Sequence, residues 1–118
     1  MKYLSTRDKS LRFSAAQAIK MGLSRDGGLF TPAEFPSLSQ QEIRGLCAMT
    51  YQQRAACVMG KYLDDFTAEE LSAYARNAYG PDKFDTPAVA PLRQVGGQTW
   101  CLELWHGPTS AFKDMALQ

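Results

Sequence analysis

The sequence predicts an α+β fold, mostly helical, with about four capped helices and an antiparallel β-hairpin near the C-terminus. Three observations predict it. Four segments open with a Ser or Thr followed three residues later by Glu or Gln: Ser14/Gln17, Ser39/Glu42, Thr50/Gln53 and Thr67/Glu70. In that pairing each side chain satisfies a free backbone N–H of the other residue, which marks a helix start. Behind those starts apolar residues recur at helical spacing. Further on, Gly96-Gly97 separates two extended-looking stretches, a hairpin signal.

Taken in order, Ala15, Ile19 and Leu23 form the stripe of the first helix, and Gly22 is suited to end it. Asp26-Gly27-Gly28-Leu29-Phe30-Thr31-Pro32 holds too much Gly and Pro for a regular element but carries two large apolar side chains, so a loop that packs inward is expected. The second helix presents Ile43, Leu46 and Cys47, with Leu38 placed to staple onto Ile43. The third presents Tyr51, Ala55, Val58, Met59 and Tyr62, and Gly60 inside it costs about 1 kcal/mol relative to Ala. The fourth presents Leu71, Tyr74, Ala75 and Ala78, with Phe66 as its staple to Leu71. Each helix is expected to bury one stripe. Gly80-Pro81 is read as its stop, a residue tolerant of left-handed geometry followed by one that cannot continue the helix. Leu92–Val95 and Gln98–Trp105 are the predicted strands, with Trp100, Leu102 and Leu104 alternating onto one face. Residues 1–88 are thus read as a helical N-terminal domain and residues 89–118 as the hairpin and the start of a last helix, the two forming a single compact unit.

Bulk chemistry excludes several function classes. The 118 residues suffice for one modest domain, and 45% hydrophobic content is ordinary for a globular chain. Thirteen basic and twelve acidic side chains leave a formal charge of +1 with no basic stripe, so no nucleic-acid partner is expected. No apolar run reaches the roughly 18 residues of a membrane span, and the first residues do not lead into a signal peptide. No membrane partner and a cytoplasmic location are expected. Cys47, Cys57 and Cys101 are odd in number and lack a C-x-x-C pattern, so they read as reduced and mostly buried. With a single histidine, His106, no metal centre is expected.

The chemistry concentrates in His106-Gly107-Pro108-Thr109-Ser110-Ala111-Phe112-Lys113-Asp114. A strand runs through a Gly-Pro turn to Thr109 or Ser110, either a good N-cap, which places Lys113 in the first turn of a helix. That end of the helix dipole favours Asp114 and mildly disfavours a cation. A lysine with a reference pKa of about 10.4 must lose its proton to attack an aldehyde, and a downward move of three units corresponds to roughly 4 kcal/mol, more than a helix end supplies without burial. Physics alone leaves a surface lysine and a functional one both open.

The run Glu103-Leu104-Trp105-His106-Gly107-Pro108-Thr109-Ser110-Ala111-Phe112-Lys113-Asp114-Met115-Ala116-Leu117-Gln118 closely resembles the pyridoxal phosphate (PLP) lysine segment of threonine synthases, whose recurrent core is H-G-P-T-x-A-F-K-D. Earlier segments agree in order: Ser5-Thr6-Arg7 resembles the family's S-T-R, Phe13–Ile19 with Gly22-Leu23 its first helix, and Asp26–Phe30 with Pro32 its D-G-G-L-[FY]-x-P loop. The resemblance implies a parent enzyme of PLP fold type II, an α/β architecture. It implies conversion of O-phospho-L-homoserine and water to L-threonine and phosphate. Lys113 would hold PLP covalently and then act as general base and acid. Phe112 and the turn from His106 to Thr109 would lie close to the cofactor, with His106 and Thr109 as candidates for binding the substrate, although His106 is equally readable as a structural loop histidine. On general grounds Arg7 suits the substrate phosphate, the alternative being a solvated arginine.

In this class the glycine-rich loop for the cofactor phosphate, the Ser or Thr for the pyridine nitrogen and the Asn for the ring hydroxyl all lie downstream of the lysine. The chain therefore reads as an N-terminal fragment, inactive and without stable PLP when alone, missing its C-terminal catalytic domain and able to dimerise through exposed apolar surface. A P-loop is rejected, since Phe112 and Asp114 stand where that motif needs Gly and Ser/Thr. The rival reading is a small, non-catalytic helical module that docks on another protein.

Overall fold

Ser14, Ser39, Thr50 and Thr67 each accept from the backbone N–H three residues on, and each donates its own N–H to the Gln or Glu side chain there. These caps open α1 (Ala15–Met21), α2 (Gln40–Cys47), α3 (Tyr51–Gly60) and α4 (Ala68–Ala78). The computed structural model describes all residues from Met1 to Gln118. α1 ends where expected, with Gly22 at φ +70° donating its N–H to the Ala18 carbonyl. α4 ends differently. Tyr79 is its C-cap at φ −114°, and Gly80 is not left-handed. Gly80 sits in a tight place instead: a Cβ there would stand 2.5 Å from Asp82 Oδ1, the movable end of a side chain, and 3.1 Å from the Arg76 carbonyl oxygen. Gly60 is the last residue of α3 rather than an interior one, and it faces Leu71 of α4.

The segment expected to be a loop contains a strand, β2 (Phe30–Pro32), antiparallel to β1 (Tyr3–Ser5), with Tyr3 opposite Pro32 and Ser5 opposite Phe30. Such short edges tolerate Pro32, whose missing N–H can face away from the ladder. Tyr3 also bridges Phe13, and Phe13 meets Phe30 edge to face with ring centroids 5.0 Å apart. The inward packing holds for half-buried Phe30 and not for Leu29, which is 61% exposed.

The hairpin is β3 (Leu92–Gly96) and β4 (Thr99–Leu102). Leu92 pairs with Leu102 and Gln94 with Trp100, and a register shift between Gln94 and Gly96 leaves Val95 as an extra residue. That bulge moves the turn one residue on, to Gly97-Gln98, with Gly97 at φ +49°. β4 stops at Leu102 rather than Trp105: Glu103 N–H still reaches the Pro91 carbonyl at 2.9 Å, but Pro91 has no N–H to return and the ladder ends there.

Only 12 of 118 residues are buried, and the core is six apolar side chains: Ala15, Ala18, Leu71, Ala75, Phe84 and Val89. One buried stripe per helix is therefore corrected: α2 and α3 bury no residue fully, and Ile19, Ile43 and Tyr74 stay at least half exposed. The radius of gyration is 16.3 Å, against about 13.5 Å for a compact domain of this length. The helices lack a second layer on which to bury their remaining apolar faces. No helix is long and apolar enough to cross a membrane.

Candidate functional site

Beyond β4 the chain runs without regular structure to a turn at Gly107–Ser110 and then to α5 (Asp114–Leu117). Neither Thr109 nor Ser110 caps a helix. Ser110 is left-handed at φ +57°, and Lys113, at φ −60° and ψ −27°, immediately precedes α5 instead of lying in its first turn. The cause is Asp114, 3% exposed, whose carboxylate takes both Thr109 donors, N–H on Oδ2 and hydroxyl on Oδ1, each at 2.8 Å. Thr109 is thereby used to close a turn and not to start a helix. Lys113 is exposed, and its ammonium makes no hydrogen bond or ion pair within the chain. Residues 1–118 leave the Lys113 side chain open to solvent. Phe112 is 67% exposed beside it.

His106 is held at both ring nitrogens: Nδ1 lies 2.6 Å from Asp85 Oδ1 and Nε2 lies 2.8 Å from Glu103 Oε2. Arg93 Nε lies 2.8 Å from the other Glu103 oxygen, Asp85 N–H donates to the His106 carbonyl, and Trp105 stacks on the imidazole. Glu103, and then Asp85, push the His106 pKa above its ordinary 6.5 by accepting from the ring. This is a clamp that ties the approach to the lysine turn to the segment after α4. Tyr79 adds a second tie, its hydroxyl donating to the Met115 carbonyl at 2.9 Å.

Arg7 stands in a different junction. Its Nη1 donates to the Asp26 carbonyl at 3.1 Å and lies over Gly27, where a Cβ would be 2.8 Å from that nitrogen. The Asp26 carboxylate accepts from Gly28 N–H at 2.9 Å and from buried Ser5 Oγ at 2.7 Å; these bonds, Gly28 first, hold its pKa below the usual carboxylate value. Thr6 and Leu29 exchange two further bonds, Thr6 N–H to the Leu29 carbonyl and Leu29 N–H to Thr6 Oγ1. Ser5-Thr6-Arg7 and Asp26–Leu29 are therefore one unit. The sequence reading missed Ser5 and Asp26; the adjoining Gly27-Gly28, where side chains have no room, was the available signal. No hydrogen bond or ion pair joins Arg7 to the lysine turn, whereas His106, Thr109, Phe112 and Lys113 share one short segment.

Two clefts of about 500 Å³ lie on α3 and α4, one polar with Thr50, Ser72 and Arg76, the other apolar with Met49, Cys57, Phe66 and Leu71. Neither includes Lys113, whose surroundings are open. Cys47 and Cys57 are exposed and Cys101 half-buried, contrary to the expectation of mostly buried thiols. No group of three or more His, Cys, Asp or Glu is placed to hold a metal.

Residues 2–79 match the family model described as the threonine synthase N terminus. The chain belongs to the threonine synthase family. It is 39% identical to threonine synthase of Pseudomonas aeruginosa over 119 aligned residues, which is all of this chain and 25% of that protein. It is 42% identical to human threonine synthase-like 1 over 87% of this chain and 14% of that protein. Among solved structures, PLP-bound threonine synthase from Brucella melitensis superposes with a TM-score of 0.88 at 38% identity, over 97% of this chain and 24% of that one. Threonine synthase from Escherichia coli gives 0.84 at 36% identity, over 97% and 25%. The chain thus spans about a quarter of the length of the threonine synthases it matches.

Proposed function

We propose that this chain is the N-terminal part of a PLP-dependent lyase, a threonine synthase that converts O-phospho-L-homoserine and water to L-threonine and phosphate in the cytoplasm, with Lys113 as the cofactor lysine. One observation carries the reading: the Lys113 amine is exposed and unpartnered while the backbone on either side of it is pinned through Asp114, Thr109 and Met115. An amine that must bond an aldehyde has to be free of internal partners, and Lys113 meets that condition. Bound PLP supplies an electron sink. Lys113 Nζ holds the cofactor and then takes and returns protons at the substrate carbons. Phe112, Thr109 and His106 shape the turn beside it, and Arg7, over the Gly27-Gly28 loop, offers a guanidinium to the substrate phosphate.

Residues 1–88 and 89–118 act as one unit in this reading, joined by the His106–Asp85 and Tyr79–Met115 bonds. Its open apolar faces meet the rest of the polypeptide, and the 118-residue chain alone neither catalyses nor holds PLP stably.

The test is made on the full-length protein. After addition of PLP, borohydride reduction and peptide mapping, the label is expected on Lys113; a label on another lysine rejects the assignment. Lys113→Ala is expected to lower kcat by about 10²-fold to 10⁴-fold, the usual size of a positioned acid–base contribution. A Lys113→Ala enzyme with the wild-type kcat would contradict the role.

A further inference from the structure

We infer that Asp114 is a positioning residue for Lys113, its buried carboxylate folding the turn of residues 107–114 onto itself and so holding the adjacent amine-bearing residue outward. The inference rests on the reading of Lys113 as the cofactor lysine.

Asp114 is 3% exposed and takes part in no ion pair. A carboxylate withdrawn from water without a counter-charge must be compensated by hydrogen-bond donors. Both donors come from one residue, Thr109 N–H on Oδ2 and Thr109 Oγ1 on Oδ1, each at 2.8 Å, so the carboxylate plane is fixed against the Thr109 backbone. Gly107 closes the turn from the other side. A Cβ at that position would stand 2.5 Å from Asp114 Cβ and 2.6 Å from Oδ2, so only glycine fits. Ser110 at φ +57° completes the reversal, and Tyr79 holds the Met115 carbonyl at 2.9 Å one residue beyond Asp114.

Lys113 lies between these fixed points. Its carbonyl accepts from Ala116 and Leu117 N–H at 3.0 and 3.1 Å, while its side chain is bound by nothing. Successive residues on a helical turn diverge by about 100°, so burial of Asp114 directs Lys113 to the open side. An asparagine at 114 could keep both contacts, its oxygen on Thr109 N–H and its amide N–H on a Thr109 hydroxyl turned to accept, whereas an alanine removes both.

The experiment follows cofactor capture, independent of turnover. Full-length protein stripped of PLP is mixed with PLP, quenched with borohydride at intervals, and labelled Lys113 is quantified by peptide mass spectrometry, at a temperature where circular dichroism shows each variant folded. Wild-type protein labelled at another lysine removes the Lys113 reading, whatever Asp114 does. With the label on Lys113, Asp114→Ala is expected to slow capture by about tenfold or more, in line with the penalty for misplacing a reacting group. Thr109→Val, which removes only the Oγ1 bond, should fall between wild type and Asp114→Ala, and the double variant should be no slower than Asp114→Ala because both act through one contact. Capture by folded Asp114→Ala at the wild-type rate overturns the inference, even where its Tm is lowered. If Asp114→Ala does not fold, Thr109→Val decides: slowed capture supports the inference, and an unchanged rate overturns it.

Discussion

His106 donates into two carboxylates at once, and the consequence is a pH dependence of known sign. Its folded pKa lies above the ordinary 6.5, so the clamp contributes fully below about 6.5 and is lost as pH rises through the elevated folded value. Thermal melts are expected to show Tm falling on that alkaline limb, and His106→Gln should flatten it; an unchanged slope in the variant counts against the clamp. Residues were unevenly legible. Lys113 could be found because its segment resembles a known one, and His106 because it is the sole histidine. Asp114 was read only as a favourable charge at a helix start. That its carboxylate is buried depends on Thr109 and Gly107 folding back over it, a tertiary fact with no periodicity to announce it.

At the scale of elements, local chemistry was the most readable. The four capping boxes are satisfied within three residues, so the information for each lies in its own sequence. The strands β1 and β2 were hidden because three-residue strands are too short to show alternation, and their pairing joins residues far apart in the chain. Two predictions belong here. Gly60→Ala should stabilise by about 0.5 kcal/mol, because a Cβ there meets Leu71 Cδ1 at an ordinary 3.7 Å. Urea titration of both proteins measures it, and a loss of stability would show that the helix end cannot accept the methyl. Glu42, held by Lys61 and by the Ser39 cap, has its pKa lowered to about 2. A depressed carboxylate contributes above its unfolded value and loses that contribution as pH falls from about 4.5 through about 2. Acid melts should show that loss, reduced in Lys61→Met; equal losses in both proteins would assign it elsewhere.

Across the whole molecule, the feature that sequence patterning misjudged is burial. Helical stripes such as Ile19 and Ile43 are positioned to be covered, yet residues 1–118 bring no layer against them. The hairpin shows the same imbalance, with Leu92, Trp100 and Leu102 on one face and 51–62% exposed. In the 118-residue chain studied alone, sedimentation velocity is expected to show association that grows with concentration. Leu102→Lys should shift the chain toward monomer without loss of helical circular dichroism; a monomeric parent chain at the same concentrations would refute this. The junction of Ser5 with Asp26 and Gly28 has a consequence of another kind. Oγ of Ser5 fills the space a Cβ at 28 would need, at 2.1 Å, and bonds a carboxylate 21 positions away. Among relatives these three positions are therefore expected to change together, and a larger residue at 28 should be inherited with a smaller one at 5.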